Sequence, residues 1–265
     1  MKELLPVILC LTITLAGCAG QPEDYGVFLG IGGEEAYKLD KYSIVVIEPA
    51  EFSSEQIDRL HEEGKTVYGY LNIGAIEEYR PYYHRFRDLS LGSYEDWPDE
   101  RWVDVSSPAW QRFVVGELGE SCARLGLDGL FLDNADVYYR YPAEDIFQGL
   151  CAILEGLRGY GLPLVLNGGD SFVTGCMDRG IAPALFDGIN QESVFTRIDF
   201  GSQGYCVQEE SETRYFQEYL LRAKAQGLTV WLLEYGADRA LSARIDAWCS
   251  EHGFLWYNAK DLALR

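Results

Sequence analysis

Eight short apolar runs, separated by stretches with helical periodicity, recur along the 265-residue chain. Each run is nearly continuous in hydrophobicity, which is typical of strands that are buried on both faces. Strands that alternate with helices in this way predict a parallel sheet with crossover helices. The runs cover residues 27–31, 44–48, 67–72, 130–133, 164–167, 188–192, 230–234 and 254–258. We therefore predict an α/β protein whose fold is a single (β/α)8 barrel, the TIM barrel.

Three helix boundaries are marked by capping signals between these runs. Ser53 has the spacing of a capping box, and Ser107 precedes Pro108 as an N-cap precedes a proline at the first helical position. Residues 238–252 form a third helical stretch, closed by a glycine. No repeat, low-complexity tract or linker divides the chain, so one domain is expected.

One connection, residues 74–101, is too long for an ordinary loop in a compact domain. It is rich in Tyr, Trp, Pro and charge, and we predict a loop over the active face of the barrel. Aromatic side chains suit the apolar faces of sugar rings. Ten aromatic residues lie in this loop, directly after it or at residues 138–141: Tyr79, Tyr82, Tyr83, Phe86, Tyr94, Trp97, Trp102, Tyr138, Tyr139 and Tyr141.

The N-terminus has the pattern of a lipoprotein signal peptide. Lys2 precedes an apolar run of about 12 to 14 residues, shorter than the roughly 20 that a transmembrane helix needs, and the run ends in Leu15-Ala16-Gly17-Cys18. We predict a signal peptide at residues 1–17, a lipidated Cys18 with a tether at 18–24, and the barrel domain at 25–265. The protein is then exported and membrane-anchored, at the outer membrane, in the periplasm or at the cell surface. The alternative is an ordinary secretory signal with a chance cysteine.

The formal net charge of −20 limits the partners of the protein. A polyanion such as nucleic acid would be repelled. Such acidity contributes to solubility, and it also favours a cationic substrate such as a partly deacetylated aminosugar polymer.

Polar residues close most of the apolar runs, at the strand ends where a barrel of this type carries its active site. Carboxylates are tolerated there only where they are solvated or paired, because a buried unpaired charge costs several kcal/mol. We therefore expect these residues to surround one pocket and assign a substrate-binding role to Glu48, Tyr70, Asn72, Asp136, Asn167, Glu234 and Tyr235.

Asp133 and Glu192 are the strongest catalytic candidates. They end the fourth and sixth predicted strands, whose backbones lie about 10 Å apart when neighbouring strands are about 4.8 Å apart. Two inward side chains then bring the carboxyl groups to about 5 to 7 Å. Glycosidases need such a pair, with a separation of about 5 to 5.5 Å for retention of configuration and 6.5 to 9.5 Å for inversion.

The chain lacks the residues that other kinds of catalytic or cofactor site need. Three histidines, His61, His84 and His252, give little material for a catalytic triad or a histidine-rich metal site. Gly30-Ile31-Gly32-Gly33 lacks the third glycine of a dinucleotide fingerprint. The five cysteines that follow Cys18 cannot all pair, and none forms a CxxC motif.

Taken together, these motifs resemble the endo-α-1,4-polygalactosaminidase family, glycoside hydrolase family 114, over essentially the whole mature chain. The residues that carry the resemblance are Tyr70-Leu-Asn-Ile-Gly74, Glu78-Tyr79-Arg80, Trp102-Val-Asp104, Gly126 to Asp136, Asn167-Gly168-Gly169 and Asn190 to Phe195. The segments around Asp133 and Glu192 are the specific part. Glu48-Pro49 and residues 80–101 depart from the family pattern.

The resemblance implies that Asp133 is the nucleophile and Glu192 the acid/base of a glycoside hydrolase without metal or other cofactor. It implies action, in endo fashion, on an α-linked exopolysaccharide containing galactosamine or N-acetylgalactosamine. We expect the protein to be a monomer. One alternative is a non-catalytic polysaccharide-binding lipoprotein, which would not need paired carboxylates. The other is a metal-dependent hydrolase or deacetylase built on Asp133 and Asp136.

Overall fold

The computed structural model describes residues 23–95, 97–201 and 204–265. Eight parallel strands form one sheet in which each strand pairs with the next barrel strand along the chain, and the first and eighth strands lie against each other. The eight strands are Glu23–Phe28, Tyr42–Ile47, Thr66–Asn72, Gly129–Asp133, Leu164–Asn167, Gly188–Glu192, Thr229–Tyr235 and Leu255–Ala259. The sheet is a nearly closed barrel, and the predicted (β/α)8 fold is confirmed.

The first strand departs most from its predicted bounds. It begins at Glu23, where the sequence suggested a tether, and it ends at Phe28. Glu23 pairs with Tyr42 and Tyr25 with Ile44 in the parallel ladder. Ladder hydrogen bonds are made by the main chain, so a polar stretch joins the sheet as readily as an apolar one.

Helices surround the barrel. The longer helices are Ser54–Glu62, Glu144–Arg158, Asp170–Asp178, Glu210–Ala225 and Arg239–His252, and residues 108–125 form a helix with a π-helical segment at Val114–Gly119. Short helices are Tyr83–Phe86, Val137–Arg140 and Ala182–Leu185, and 3-10 turns are Gly33–Leu39, Pro49–Glu51 and Arg87–Leu89.

The predicted helix starts are confirmed. The backbone N–H of Ser53 donates to Oε1 of Gln56 (2.8 Å), as a capping box requires. Pro108 is the first residue of its helix. Asp238 accepts a hydrogen bond from the backbone N–H of Leu241 (2.8 Å), and Gly253 ends that helix in the left-handed region (φ 65°).

Two accessory sheets follow the C-terminal ends of barrel strands. The 74–101 connection is not an irregular loop, since it contributes Ala75–Glu77 and Ser90–Ser93 to a three-stranded antiparallel sheet with Glu100–Val103. An antiparallel hairpin, Thr196–Asp199 with Gly204–Val207, follows the sixth barrel strand. A Cβ at Gly74 would lie 1.8 Å from the carbonyl oxygen of Asn134, so only glycine allows the first sheet to leave the barrel there.

Aromatic side chains pack inside the barrel below its C-terminal ends. Trp231 contacts Tyr25 (ring centroids 4.7 Å apart) and Tyr68 (5.1 Å). These rings occupy the interior that a barrel of eight strands leaves for side chains. These rings fill the barrel interior beneath the C-terminal ends of the strands.

The predicted signal peptide and Cys18 lie outside the described residues. Within the described part, no helix combines the length and the apolar character needed to cross a membrane. The five cysteines of this part are free thiols; Cys206 is exposed and the others are buried.

Candidate active site

A cavity of about 430 Å³ opens at the C-terminal ends of the barrel strands. Val27, Phe131 and Leu233 contribute apolar surface to it from three different strands. Its polar side chains come from the ends of the strands and from the 74–101 segment. The polar lining residues are Glu48, Tyr70, Glu77, Tyr79, Arg80, Tyr94, Glu100, Asp133, Asn134, Asp136, Asn167, Gln191, Glu192 and Tyr235.

The side-chain amide of Asn167 lies between Asp133 and Glu192. Its Nδ2 donates to Oδ1 of Asp133 (2.9 Å) and to Oε1 of Glu192 (2.7 Å). The two N–H bonds of an amide diverge by about 120°, so linear hydrogen bonds of these two lengths place the two accepting oxygens about 5 Å from each other. The fifth barrel strand therefore sets the spacing of the two carboxyl groups that end the fourth and the sixth.

Hydrogen bonds from the barrel interior fix the orientation of the Asn167 amide. Nδ2 of Asn190 donates to Oδ1 of Asn167 (2.6 Å), and the hydroxyl of Tyr25 donates to Oδ1 of Asn190 (3.1 Å). Because Oδ1 of Asn167 is used as an acceptor, its amide nitrogen is directed at the carboxylates. The chain of hydrogen bonds connects the site to the buried interior of the barrel.

Each carboxylate has a further donor of its own. The hydroxyl of Tyr70 donates to Oδ2 of Asp133 (2.8 Å), and the hydroxyl of Tyr235 donates to Oε2 of Glu192 (2.8 Å). Both tyrosines are among the site residues that the strand-end positions predict. Both oxygens of each carboxylate are thus hydrogen-bonded.

The two carboxyl groups favour their protonated forms more than free carboxyl groups do. Burial, together with the charge of Asp133, raises the pKa of Glu192 to about 6, against the hydrogen bonds from Asn167 and Tyr235. Burial also raises the pKa of Asp133, which the donors Tyr70 and Asn167 counteract. Two neighbouring carboxyl groups with raised pKa values can share one proton, which is the state that acid/base chemistry needs.

The backbone turns sharply directly after each of these carboxylates. Asn134 (φ 68°) and Ser193 (φ 58°) occupy the left-handed region, which non-glycine residues rarely adopt. Such positions cost about 1 to 3 kcal/mol and concentrate at functional sites. The same local conformation thus follows both members of the pair.

Glu48 and Asp136 line the cavity as predicted. Oε2 of Glu48 accepts a hydrogen bond from Arg80 Nη2 (2.8 Å). Oδ2 of Asp136 accepts one from the backbone N–H of Gly169 (3.0 Å). Burial and the charge of Asp133 raise the pKa of Asp136 to about 7.

Glu234 does not reach the cavity. Its neighbours Leu233 and Tyr235 face the interior of the barrel, so the side chain of Glu234 points to the opposite face of the strand. There it is fully buried and accepts hydrogen bonds from the backbone N–H groups of Val194, Phe195 and Thr196, and from the Thr196 hydroxyl (2.6 Å). Glu234 therefore holds the backbone segment that follows Glu192. The predicted substrate contact of Glu234 is wrong, because its side chain lies outside the cavity.

Asn72 is also absent from the cavity lining. Its side chain is buried, and its Oδ1 accepts a hydrogen bond from the backbone N–H of Ala75 (2.8 Å). This bond closes the turn by which the chain leaves the third barrel strand. The residue shapes the start of the accessory sheet, and the substrate contact predicted for it has no support in its geometry.

Several lining residues were not predicted. Glu77 and Glu100 come from the accessory sheet, Arg80 follows the first of them, and Phe200 comes from the hairpin segment. Trp97, which was predicted among the aromatic residues of the active face, also lines the cavity. The rings of Trp97 and Phe200 are 6.5 Å apart, so the two segments meet beside the cavity. These residues do not lie at the ends of barrel strands, so their positions in the sequence do not predict them. The unusual length of the 74–101 connection does indicate that this segment contributes to the site.

The described residues contain no group of three or more His, Cys, Asp or Glu side chains arranged to hold a metal ion. The chemistry that the site can perform with its own groups is proton transfer and nucleophilic attack by the two bridged carboxyl groups, in a cavity rich in acidic side chains.

Comparison with known proteins shows which family and fold the chain shares. The model of glycoside-hydrolase family GH114 matches residues 20–260. An uncharacterized protein of Deinococcus radiodurans is 28% identical over 116 residues, which are 40% of this chain and 37% of the relative, so the chain matches little more than a third of that protein's length.

Two solved structures share the fold. The glycoside hydrolase domain of PelA from Pseudomonas aeruginosa has a TM-score of 0.77 at 18% identity, over 92% of this chain and 96% of that domain. Ega3 from Aspergillus fumigatus, in complex with galactosamine, has a TM-score of 0.72 at 16% identity, over 92% of this chain and 93% of the other.

Proposed function

The chain belongs to glycoside hydrolase family 114, and from this membership we propose that it hydrolyses α-glycosidic bonds of a galactosamine-containing polysaccharide, with Asp133 and Glu192 as the catalytic carboxyl groups. The observation that carries the proposal is the single amide of Asn167, which donates to both carboxyl groups and, with linear hydrogen bonds, places the two bonded oxygens about 5 Å apart. That spacing supports a retaining, two-step mechanism, because inversion needs room for a water molecule between substrate and base.

In the first step, Glu192 acts as general acid and Asp133 as nucleophile. An oxygen of the Asp133 carboxylate attacks the anomeric carbon while the bond from that carbon to the glycosidic oxygen breaks. The proton of Glu192 passes to the departing oxygen, and the sugar is left covalently bound to Asp133. The raised pKa of Glu192, caused by burial and by the Asp133 charge, supports this role because it keeps the acid protonated in mildly acidic solution.

In the second step, the ionised Glu192 acts as general base. It takes a proton from a water molecule whose oxygen attacks the anomeric carbon, and the bond to Asp133 breaks. The carboxylate of Asp133 and the protonated form of Glu192 are restored. Two successive inversions at the anomeric carbon give net retention, so an α-linked substrate yields the α-anomer.

The substrate class is supported by the charge of the cavity. Six carboxyl groups and one guanidinium, that of Arg80, are found among the described residues that line it. Such an excess of acidic groups favours a cationic polymer over a neutral or anionic one. Exposed aromatic side chains at the cavity, Tyr79 and Trp97, suit the apolar faces of sugar rings. An endo mode of action is what the family resemblance implies.

The proposal is tested with the Asp133→Asn and Glu192→Gln variants on partly deacetylated α-1,4-linked polygalactosamine. Each change removes a charge or a proton but little volume, so we expect turnover to fall by roughly 10²- to 10⁴-fold with the fold retained. The measured quantity is the rate at which new reducing ends appear. Glu155→Gln, an exposed change on the helix Glu144–Arg158, is the matched control and should act like the wild type.

Hydrolysis by Glu192→Gln at the wild-type rate would refute the assignment. If the wild type cleaves none of a broad panel of α-linked polymers, while the wild type and both variants bind polymer equally, the non-catalytic binding lipoprotein is the better account.

Export and anchoring through Cys18 remain part of the proposal, supported by the sequence pattern before that cysteine. Labelling cells with a fatty acid should mark the wild type and leave Cys18→Ser unlabelled and released from membranes. Unchanged membrane association of the variant would contradict the anchor.

A further inference from the structure

Two cysteines face each other on neighbouring helices that pack against the outside of the barrel. Cys151 lies on the helix Glu144–Arg158, and Cys176 lies on the helix Asp170–Asp178. Both side chains are buried, and the thiol of Cys176 donates a hydrogen bond to the sulfur of Cys151. No step of the proposed hydrolysis uses either residue.

The packing of the two helices places these thiols opposite each other. Each helix follows a strand of the parallel barrel, so the two helices run in the same general direction. On each helix the cysteine comes four residues after a phenylalanine, and residues at that spacing share one helix face. The rings of Phe147 and Phe172 are in contact, with centroids 5.0 Å apart. One turn further along, Cys151 meets Cys176.

Contacts beside the thiols hold the two helices in this register. Arg179 donates two hydrogen bonds of 2.7 Å to the carboxylate of Glu144, and its guanidinium carbon lies 3.8 Å from the centre of the Phe147 ring. A Cβ at Gly175 would lie 2.9 Å from the same ring, so the helix backbones approach closely next to Cys176. A disulfide needs two cysteines on facing segments with their side chains directed at each other, and this interface provides that arrangement.

The other cysteines in the described part of the chain differ from this pair. Burial raises the pKa of Cys122 and of Cys249 to about 12, and neither forms a hydrogen bond to another thiol. Cys206 is exposed on the accessory hairpin. The hydrogen bond from Cys176, in contrast, lowers the pKa of the Cys151 thiol, against the effect of burial. A lowered pKa increases the fraction of thiolate, which is the form that attacks disulfides.

We propose that Cys151 and Cys176 form a disulfide under oxidising conditions such as those outside the cytosol, an inference that depends neither on the hydrolase activity nor on the lipid anchor. The two cysteines are 25 residues apart in sequence, and the loop that the bond closes contains the fifth barrel strand, Leu164–Asn167. Closing a loop restricts the unfolded chain and so stabilises the folded one. The cross-link therefore stabilises the segment that carries the amide of Asn167.

The bond forms by exchange with an oxidant that is itself a disulfide. The thiolate of Cys151 attacks one sulfur of the oxidant, which breaks the S–S bond of the oxidant and releases one thiolate. Cys176 then loses its proton and attacks the Cys151 sulfur of the mixed disulfide, which forms the Cys151–Cys176 bond and releases the second thiolate. The two cysteines lose two protons and two electrons, and the oxidant is reduced to two thiols. Because both side chains are buried in the packed helices, the first attack takes place before the helices have packed.

The test is thiol mapping of the purified full-length protein after refolding in a buffer rich in oxidised glutathione. Free thiols are alkylated under denaturing conditions, the protein is digested, and the peptides are identified by mass spectrometry. We expect the peptides of Cys151 and Cys176 to be linked, with the loss of two hydrogen atoms, and Cys122 and Cys249 to be alkylated. Reduction with dithiothreitol should lower the melting temperature by about 5 °C or more.

Variants show whether this pair causes the change in melting temperature. Cys151→Ala and Cys176→Ala should each abolish the difference between oxidised and reduced samples. Cys249→Ala, at a buried cysteine on the helix Arg239–His252, is the matched control and should keep that difference. Each comparison is between two redox states of one variant, so a loss of stability caused by the substitution itself cancels.

Alkylation of both Cys151 and Cys176 in the oxidised wild type would overturn the proposal, and so would a link from either residue to a different cysteine. The two residues would then be small apolar side chains that pack in the helix interface. If an alanine variant does not fold, thiol mapping of the wild type alone decides the question. The mapping does not involve hydrolysis, so a wild type that is linked but cleaves no polymer keeps the disulfide and removes only the hydrolase proposal.

Discussion

At the scale of single residues, the hydroxyl of Tyr235 controls the protonation of Glu192. Burial and the charge of Asp133 raise the pKa of Glu192, and the 2.8 Å hydrogen bond from Tyr235 stabilises the ionised carboxylate and limits that rise, so that the pKa is about 6. A general acid works only in its protonated form, so activity should fall as the pH rises through about 6. It should fall again at lower pH, where Asp133 takes up a proton and loses its nucleophilicity.

Tyr235→Phe removes this hydrogen bond and leaves the aromatic ring. The pKa of Glu192 then rises, and the alkaline midpoint of the activity profile should move up to about 7, since a hydrogen bond to a charge is worth about 1.5 kcal/mol or more and 1.36 kcal/mol corresponds to one pH unit. Initial rates from pH 4 to 9 measure the midpoint. Tyr205→Phe, in the ring stacked on Tyr235, is the control and should leave it in place. A midpoint that stays or moves down contradicts the role of Glu192 as the acid.

The residues of the site differ in how far the sequence reveals them. The placement of Asp133 and Glu192 in one cavity was predictable because the carboxyl ends of barrel strands converge. Glu234 also ends an apolar run, but its side chain points to the outer face of the barrel. The sequence cannot show this, because both faces of such a strand are apolar. Glu77 and Glu100 meet only through the pairing of two accessory strands 23 residues apart in sequence. No local pattern specifies such a pairing.

At the scale of elements, Glu234 ties the seventh barrel strand to the segment that follows Glu192. Its carboxylate accepts from three consecutive backbone N–H groups, at residues 194–196, where the chain leaves the sixth strand. Ser193, between this segment and Glu192, occupies the left-handed region (φ 58°). The buried carboxylate therefore holds the turn that positions the proposed acid.

Glu234→Gln replaces one acceptor oxygen by a donor that faces backbone N–H groups. We expect the free energy of unfolding to fall by about 2 kcal/mol or more, and turnover to fall because Glu192 is displaced. Denaturant unfolding and reducing-end assays measure the two effects. Glu251→Gln, an exposed change on the helix Arg239–His252, should alter neither. A Glu234→Gln protein with wild-type stability and turnover would show that the turn does not depend on this carboxylate.

The barrel strands and main helices could be predicted because their signals are local. An apolar run marks a strand, and three residues mark the starts of helices: Ser53, Pro108 and Asp238. These signals locate the elements to within a few residues. The accessory sheet and the hairpin at Thr196–Val207 could not. Their strands have three or four residues and lack a regular apolar alternation, so no local sequence signal marks them.

At the scale of the whole molecule, buried carboxyl groups make stability depend on pH. Burial is the main cause that raises the pKa of Glu192 to about 6, of Asp136 and Glu234 to about 7, and of Glu100 to about 8. The ordinary values are 3.8 for Asp and 4.5 for Glu, so the folded protein binds more protons than the unfolded chain between about pH 4 and 8. Stability then decreases as the pH rises across this window.

The melting temperature should therefore be higher at pH 5 than at pH 8, by about 5 °C or more. Thermal unfolding followed by circular dichroism measures it, at constant ionic strength so that screening of the net charge of −20 is the same. A melting temperature that is flat or rises with pH would mean that these carboxyl groups are ionised in the folded state at neutral pH.

We propose that Asp133 and Glu192, bridged by the amide of Asn167, hydrolyse an α-linked galactosamine polymer with retention of configuration. The anomeric configuration of the first product tests it most directly, read by proton NMR within minutes of adding enzyme, before mutarotation. We predict that the α-anomer appears first and converts slowly to the equilibrium mixture. Initial release of the β-anomer, or no new reducing ends at all, would contradict the account.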